Sequence, residues 1–358
     1  MYYLVASIIF IILIFSLFNK NYEKNTTILF LIMTILFLLS SIRYEIGTDY
    51  PVYYKFFNNV QPFSFDYDYE SGYNSFEPLF KYIVVILKNI IDNPFFYFSL
   101  WSLITLSFFY FGIKENSAHY ILSLFILYCI FYHHYLFNTI RQGVVMGIFI
   151  YSLKYILNRD FFKVLIITIF SSLIHTSGFL IMVAYYSSFI KFKSRISIIL
   201  FLFISIGIWK TGLGEMIFEF IAVQFQPIIP NLYMYVKLFF YDHNLPQILQ
   251  RILLLIPLLY YYNLLSNDDR YTKLFSIYFV GVIIYFSFGF FGLFITRINM
   301  FFRILEIILI PILYQRLKNT NQKLVMQICI MIWGFVIMTW LYFKDTYYPF
   351  KTIFGSLF

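Results

Sequence analysis

The stretch ILFLIMTILFLLSSI (residues 28–42) carries no charge, and uncharged apolar runs of this kind recur from one end of the chain to the other. A helix crossing the hydrocarbon core of a bilayer needs about 20 such residues, and water cannot satisfy its backbone there, so the runs must be helical. Composition agrees with this reading. Of 358 residues, 61% are hydrophobic and only 12% charged, with a mean hydropathy of +0.78. So few charges cannot clothe a soluble exterior. The expected fold class is therefore all-α: one polytopic membrane domain over residues 1–358 with no separate soluble domain. Helices are predicted at 2–18, 26–43, 94–113, 118–137, 140–157, 161–174, 177–190, 196–210, 247–265, 272–294, 299–315 and 324–343, about twelve in all. The first run, 2–18, has no basic leader and no small-residue cleavage site, so it is expected to be retained.

Short links holding Lys20, Lys24, Lys114, Arg159, Lys163, Lys191, Lys193, Arg195, Arg270, Lys273, Arg316, Lys318 and Lys323 fall on one side of this arrangement. The positive-inside rule makes that side cytoplasmic. Both termini and two longer loops, 44–93 and 211–246, then lie outside. Each loop carries an expected amphipathic surface helix, EPLFKYIVVILKNI (residues 77–90) and a second around residues 215–225. The net charge of +9 is spread along the chain, as a topology signal and not a nucleic-acid patch. Cys129 and Cys329 sit within apolar runs and are expected as packing residues, neither disulfide nor metal ligands.

Arg43, Arg141, Arg297 and Arg303 differ from the other cations, because they lie at helix mouths on the outer level. An ionisable group beside a membrane span is costly and marks function by default. Guanidinium stays charged and its forked donors match phosphate oxygens, so the four are candidates for holding a diphosphate; the plainer alternative is four snorkelling anchors. Asp49, before Tyr50–Pro51, suits a helix N-cap and also a general base. His175, in SSLIHTSGFL (residues 171–180), stands at an expected helix break and is the second base candidate, against a plain interhelical hydrogen-bonding role. The acids Asp66, Asp68 and Glu70 lack the pattern of a calcium loop. Tyr50, Tyr53, Tyr54, Tyr67, Tyr69 and Tyr73 crowd one outer loop, where aromatic faces can stack on sugar rings; most other tyrosines suit interface belts. No metal-ligand spacing, nucleophile elbow or glycine-rich phosphate loop is present, so no cofactor and no metal are expected.

RYEIGTDYPVYYKFF (residues 43–57), the Glu77 of SFEPLF, NTIRQGVVMGIFIYSLKYI (residues 138–156), LIHTSGFL (residues 173–180), RINMFFRILEIILIP (residues 297–311) and YYPFK (residues 347–351) together resemble the EpsG family of Wzy-like bacterial polysaccharide polymerases. The resemblance implies a metal-independent membrane glycosyltransferase at the outer face of the bacterial plasma membrane. It would join undecaprenyl-diphosphate-linked oligosaccharide repeat units into O-antigen, capsule or exopolysaccharide, with undecaprenyl diphosphate as leaving group. The implied partners are the lipid-linked oligosaccharide, the bilayer, a flippase and a chain-length regulator, with no nucleic acid. Arg43 and Asp49 match the first of these motifs, Arg141 the second, His175 the third, and Arg297 and Arg303 the fourth; the chemistry of the residues assigns the arginines to diphosphate, Asp49 or His175 to the base, and Tyr50, Tyr53, Tyr54 and Glu77 to sugar. Other readings are a lipid-linked glycan flippase, a glycan ligase or prenyl-phosphate-dependent glycosyltransferase, and an acyltransferase built around His175.

Overall fold

The computed structural model describes residues 1–61, 76–192, 194–225, 243, 245–342, 347 and 349–357. Asp66, Tyr67, Asp68, Tyr69, Glu70, Tyr73 and Lys193 lie outside the described residues. The helices are α1 (Tyr2–Phe18), α2 (Thr26–Ile42), α3 (Tyr50–Asn59), α4 (Pro78–Ile90), α5 (Pro94–Asn116), α6 (Tyr120–Ile126), α7 (Ile140–Leu157), α8 (Phe161–Ile174), α9 (Leu180–Ser187), α10 (Arg195–Lys210), α11 (Leu213–Phe225), α12 (Leu245–Tyr260), α13 (Asp269–Ser287), α14 (Gly292–Arg303), α15 (Glu306–Arg316) and α16 (Thr320–Tyr342). A single short hairpin, β1 (Phe350–Thr352) and β2 (Gly355–Leu357), closes the described chain. They fall into two compact units, residues 1–182 with 310–358, and residues 183–309.

The all-α membrane class expected from the sequence holds. Among the described residues, three helices are long and apolar enough to cross a bilayer: Pro94–Asn116, Ile140–Leu157 and Thr320–Trp340. A fourth is reached if Arg195–Lys210 and Leu213–Ile221, bent by 73°, count as one span. The expected number of twelve goes beyond what these lengths establish, since α1, α2, α8 and α12 are apolar but shorter. Several predicted spans are also built differently, such as 272–294, which is interrupted between Ser287 and Gly292. Segment 118–137 is α6 followed by π-helical turns at Leu127–Tyr132 and His134–Asn138. Segment 299–315 is divided between α14 and α15 by Ile304 and Leu305. Helices form in both of the longer loops, as α4 and α11. Cys129 is buried, as expected of a packing residue, whereas Cys329 is exposed.

In the first unit, local sequence sets the helix starts. Asn25 caps α2 by accepting from the Ile28 N–H, Asn93 caps α5 with Pro94 behind it, and Asp160 caps α8, each side chain satisfying N–H groups that the first turn leaves open. Helix α7 carries Gly143 and Gly147 four residues apart. A Cβ on Gly147 would lie 2.8 Å from the Phe108 Cβ, so the missing side chain is what lets α5 and α7 approach. Helix α2 packs on α5, α7 on α8, and α1 on α16.

The two ends of this unit differ in character. At one end the links are short and joined: the Tyr120 N–H donates to the Glu23 carbonyl at 2.7 Å, and Lys154 pairs with Glu115 at 2.9 Å. Lys163 pairs with Asp160 there too. At the other end α2 finishes, α4, α5 and α7 begin, and α8 finishes. Residues 42–44 hold the terminal hairpin, through the Arg43–Thr352 bridge and the Tyr44 N–H to the Lys351 carbonyl. That end carries Arg43, Asp49, Glu77, Arg141 and His175.

Candidate active site

Helix α3 starts at Tyr50 with Asp49 in the N-cap position and Pro51 in its first turn, as the sequence implied. The Asp49 carboxylate, however, makes no capping bond. Its Oδ1 accepts from the Thr48 hydroxyl at 3.2 Å. The preceding GTD segment is seated on the π-helical turn ahead of α7. Gly47 has φ +105, and a Cβ there would lie 2.4 Å from the Phe137 carbonyl oxygen, so only glycine fits. Asn138 then receives the Thr48 N–H at 2.7 Å and donates its amide to the Tyr347 hydroxyl. Two residues past Thr139, Arg141 projects from the first turn of α7.

Arg141 forms an ion pair with Glu77 through Nη1 and Oε2, with side chains 14% and 10% exposed. Its Nε faces the Tyr53 hydroxyl at 3.4 Å. Its guanidinium lies 4.1 Å from the Phe76 ring centroid and 5.4 Å from that of Phe80, an aromatic bed that fixes its plane. The other Glu77 oxygen, Oε1, accepts the Thr176 N–H at 2.8 Å. Thr176 opens the 3-10 turn Thr176–Phe179 that separates α8 from α9. Its cap is His175, whose Nδ1 accepts the Ser177 N–H at 3.1 Å and meets the Ser177 hydroxyl at 2.8 Å. A ring nitrogen that accepts an N–H carries no proton, so the neutral imidazole keeps its hydrogen on Nε2.

The Tyr53 hydroxyl is within electrostatic reach of Arg141, Asp49 and Glu77, and burial pushes it above the ordinary tyrosine range. Five separate sequence motifs thus meet at one end of one unit. Arg43 joins them differently. It is 1% exposed, lies 5.1 Å from the ring centroids of both Phe98 and Phe137, and donates from Nη1 to the Ser40 carbonyl at 3.2 Å. Its Nε and Nη2 meet no hydrogen-bond acceptor among the described residues. Of the tyrosines expected to meet sugar, Tyr50 and Tyr53 are buried. Tyr50 stacks on Phe98 at 4.6 Å and Tyr53 on Phe76 at 5.9 Å. Tyr54 is half-buried and stacks on Tyr50. Glu77 touches Arg141 and Thr176 where the sequence placed a sugar.

The second unit holds the remaining arginines. Arg297 is exposed on α14. Arg303 is fully buried in a bidentate pair with Glu306, Nε to Oε1 at 2.8 Å and Nη2 to Oε2 at 3.0 Å, and the Tyr278 hydroxyl reaches Oε1 at 3.4 Å. Arg251, also buried, faces Asn299 at 3.3 Å and lies 4.5 Å from the Tyr285 ring centroid. Sequence reasoning passed over Arg251, Glu306 and Asn138. The first two were open to it: each is an ionisable residue inside an apolar run, the signal that picked out Arg303. Among the described residues, no three histidines, cysteines or acids gather as a metal-ligand set.

A family model, the EpsG family, matches residues 26–352, which includes every residue of both arginine sites. The chain is a member of the EpsG family. Searches of curated proteins and of solved structures found no match. EpsG membership makes this a membrane protein of the polysaccharide-polymerase type, with a glycosyltransferase-like role.

Proposed function

We propose that this EpsG protein joins undecaprenyl-diphosphate-linked oligosaccharide repeat units at the outer face of the plasma membrane, releasing undecaprenyl diphosphate. The observation that carries the reading is the Arg141 site. A guanidinium in a nearly enclosed, aromatic-lined position pairs with Glu77, whose other oxygen takes the Thr176 N–H next to His175, and the Tyr53 hydroxyl is within electrostatic reach of both Arg141 and Asp49.

In this reading Asp49 takes the proton of the acceptor sugar hydroxyl as that oxygen attacks the anomeric carbon of the donor. The anomeric C–O bond to diphosphate breaks, and its electron pair passes to the diphosphate oxygen. Arg141 stabilises the charge that grows there, and His175 Nε2–H donates to it; fixed donors in a dry site are worth most when charge develops. Arg43, with two guanidinium nitrogens unspent, reinforces the positive field behind Arg141. Arg297, an exposed cation of the second unit, is available to a second diphosphate. Tyr54 offers a ring to the acceptor sugar.

The test is elongation by purified protein of a defined lipid-linked repeat unit, read as a ladder of glycan lengths. Wild type is expected to give multiple units per lipid, and Arg141→Lys only single units, since lysine keeps the charge but loses the fork. Wild type giving no ladder while moving the lipid-linked unit across a vesicle bilayer would replace the polymerase with a flippase.

A further inference from the structure

We propose that Glu77 is an internal stand-in for a phosphate group: its carboxylate fills a phosphate-oxygen subsite made by Arg141 and the Thr176 N–H, and a diphosphate ligand binds by displacing it. The inference rests on the reading that Arg141 holds diphosphate.

Glu77 stands at the N-cap of α4, where an acid normally turns back on the N–H groups of its own first turn. It makes no capping bond. Both oxygens go instead to donors from other elements, Oε2 to Arg141 at the start of α7 and Oε1 to the Thr176 N–H after α8. A planar anion held on two edges by a guanidinium and a backbone amide copies how two oxygens of a phosphate are held.

The donors are organised without their occupant. Arg141 rests on Phe76 and Phe80 and faces the Tyr53 hydroxyl. The Thr176 N–H is fixed by the 3-10 turn that His175 caps. Removal of the carboxylate therefore leaves a formed anion site, not a collapsed one. A displaced Glu77 also has somewhere to go. Lys81, one turn further along α4, is within electrostatic reach of both Glu77 and Arg141, and a glutamate four residues before a lysine is the favoured helical order. With Glu77 on Lys81, Arg141 faces the ligand with its full charge. The internal carboxylate thus makes the site selective for ligands of higher charge than its own, and keeps carboxylates and other single anions out.

The experiment uses the full-length protein in detergent, with farnesyl diphosphate as the probe and inorganic pyrophosphate as a second arm. Glu77→Gln removes the competing charge and is expected to tighten farnesyl diphosphate binding at least threefold, while Arg141→Ala weakens it at least tenfold. The same order of variants with pyrophosphate shows that diphosphate chemistry alone is sufficient; the order with farnesyl diphosphate only assigns the subsite to a lipid headgroup. If Glu77→Gln binds no better than wild type while Arg141→Ala loses binding, Glu77 only positions Arg141 and the stand-in role is overturned. If Arg141→Ala binds as wild type does, the diphosphate reading itself fails. Wild-type protein supplies a check free of folding effects. Carboxyl footprinting of Glu77 by mass spectrometry is expected to rise when the probe is added; protection of Glu77 by the probe overturns the proposal.

Discussion

The Thr48 backbone N–H donates to Asn138 Oδ1 at 2.7 Å although the two residues stand 90 positions apart. This one bond ties the loop that presents Asp49 to the turn that launches Arg141. Asn138 extends the tie to the C-terminal segment by donating to the Tyr347 hydroxyl. The proposed base and the proposed diphosphate ligand are thereby held on a common support.

Asn138 is accordingly expected to act as a positioning residue. Asn138→Leu leaves the part-buried Thr48 N–H without its acceptor, at a cost below the roughly 1–3 kcal/mol of a fully buried unsatisfied group. Elongation is expected to fall at least tenfold, about what ångström-scale misplacement of catalytic groups costs. Asn138→Asp keeps the acceptor for Thr48, and the Tyr347 hydroxyl can turn to donate to the new carboxylate. It should keep much more activity than the leucine variant. Elongation assays beside thermal melts check this, and equal losses in both variants would speak against a positioning role.

How far the sequence reached follows from where the information lies. Arg43, Asp49, Arg141 and His175 were legible because each is a polar residue at an abrupt end of an apolar run, and the structure brings all four to one end of the first unit. The pairing of Glu77 with Arg141 was not legible. It depends on α4 lying against α8, and nothing in the local pattern of α4 names that neighbour. Nor was the π-helical stretch before Asn138, because its hydrophobic pattern is that of an ordinary helix and the extra residue per turn is imposed by packing. Gly47 shows the same limit from the other side. Its glycine was visible, but the carbonyl that forbids a side chain there comes from Phe137, on another element.

Arg297 and Arg303, grouped by the sequence, are expected to separate in experiment. Arg303 and Glu306 bury a bidentate pair, and removal of one partner strands a buried charge at a cost of about 3–5 kcal/mol. Glu306→Gln is therefore expected to lower the melting temperature strongly. Arg297 is exposed, so Arg297→Ala should change stability by no more than about 0.5 kcal/mol. If it supplies a diphosphate contact, elongation should drop at unchanged stability. A melting temperature that Glu306→Gln leaves untouched would return Arg303 to the list of substrate ligands.

The division of proton chemistry between Asp49 and His175 yields the sharpest test. Asp49 holds the N-cap position of α3 but spends no side-chain bond on it. Asp49→Asn is therefore expected to change stability by no more than about 0.5 kcal/mol. As the base, its loss should slow elongation by about 10²–10⁴. His175 uses Nδ1 to cap the turn at Thr176, and glutamine can replace that acceptor, so His175→Gln should also fold. What it removes is the Nε2–H directed at the leaving group, worth about 10²–10³ in rate for a fixed donor to a developing anion. The two losses are told apart by changing the leaving group. A repeat unit activated as a glycosyl fluoride expels a small anion that needs no diphosphate site. With that donor, His175→Gln should regain most of its rate, while Asp49→Asn stays slow because the acceptor hydroxyl still lacks a base. The reverse pattern, with Asp49→Asn rescued and His175→Gln still slow, would put the base at the helix break after α8 and leave Asp49 as part of the surface that binds substrate.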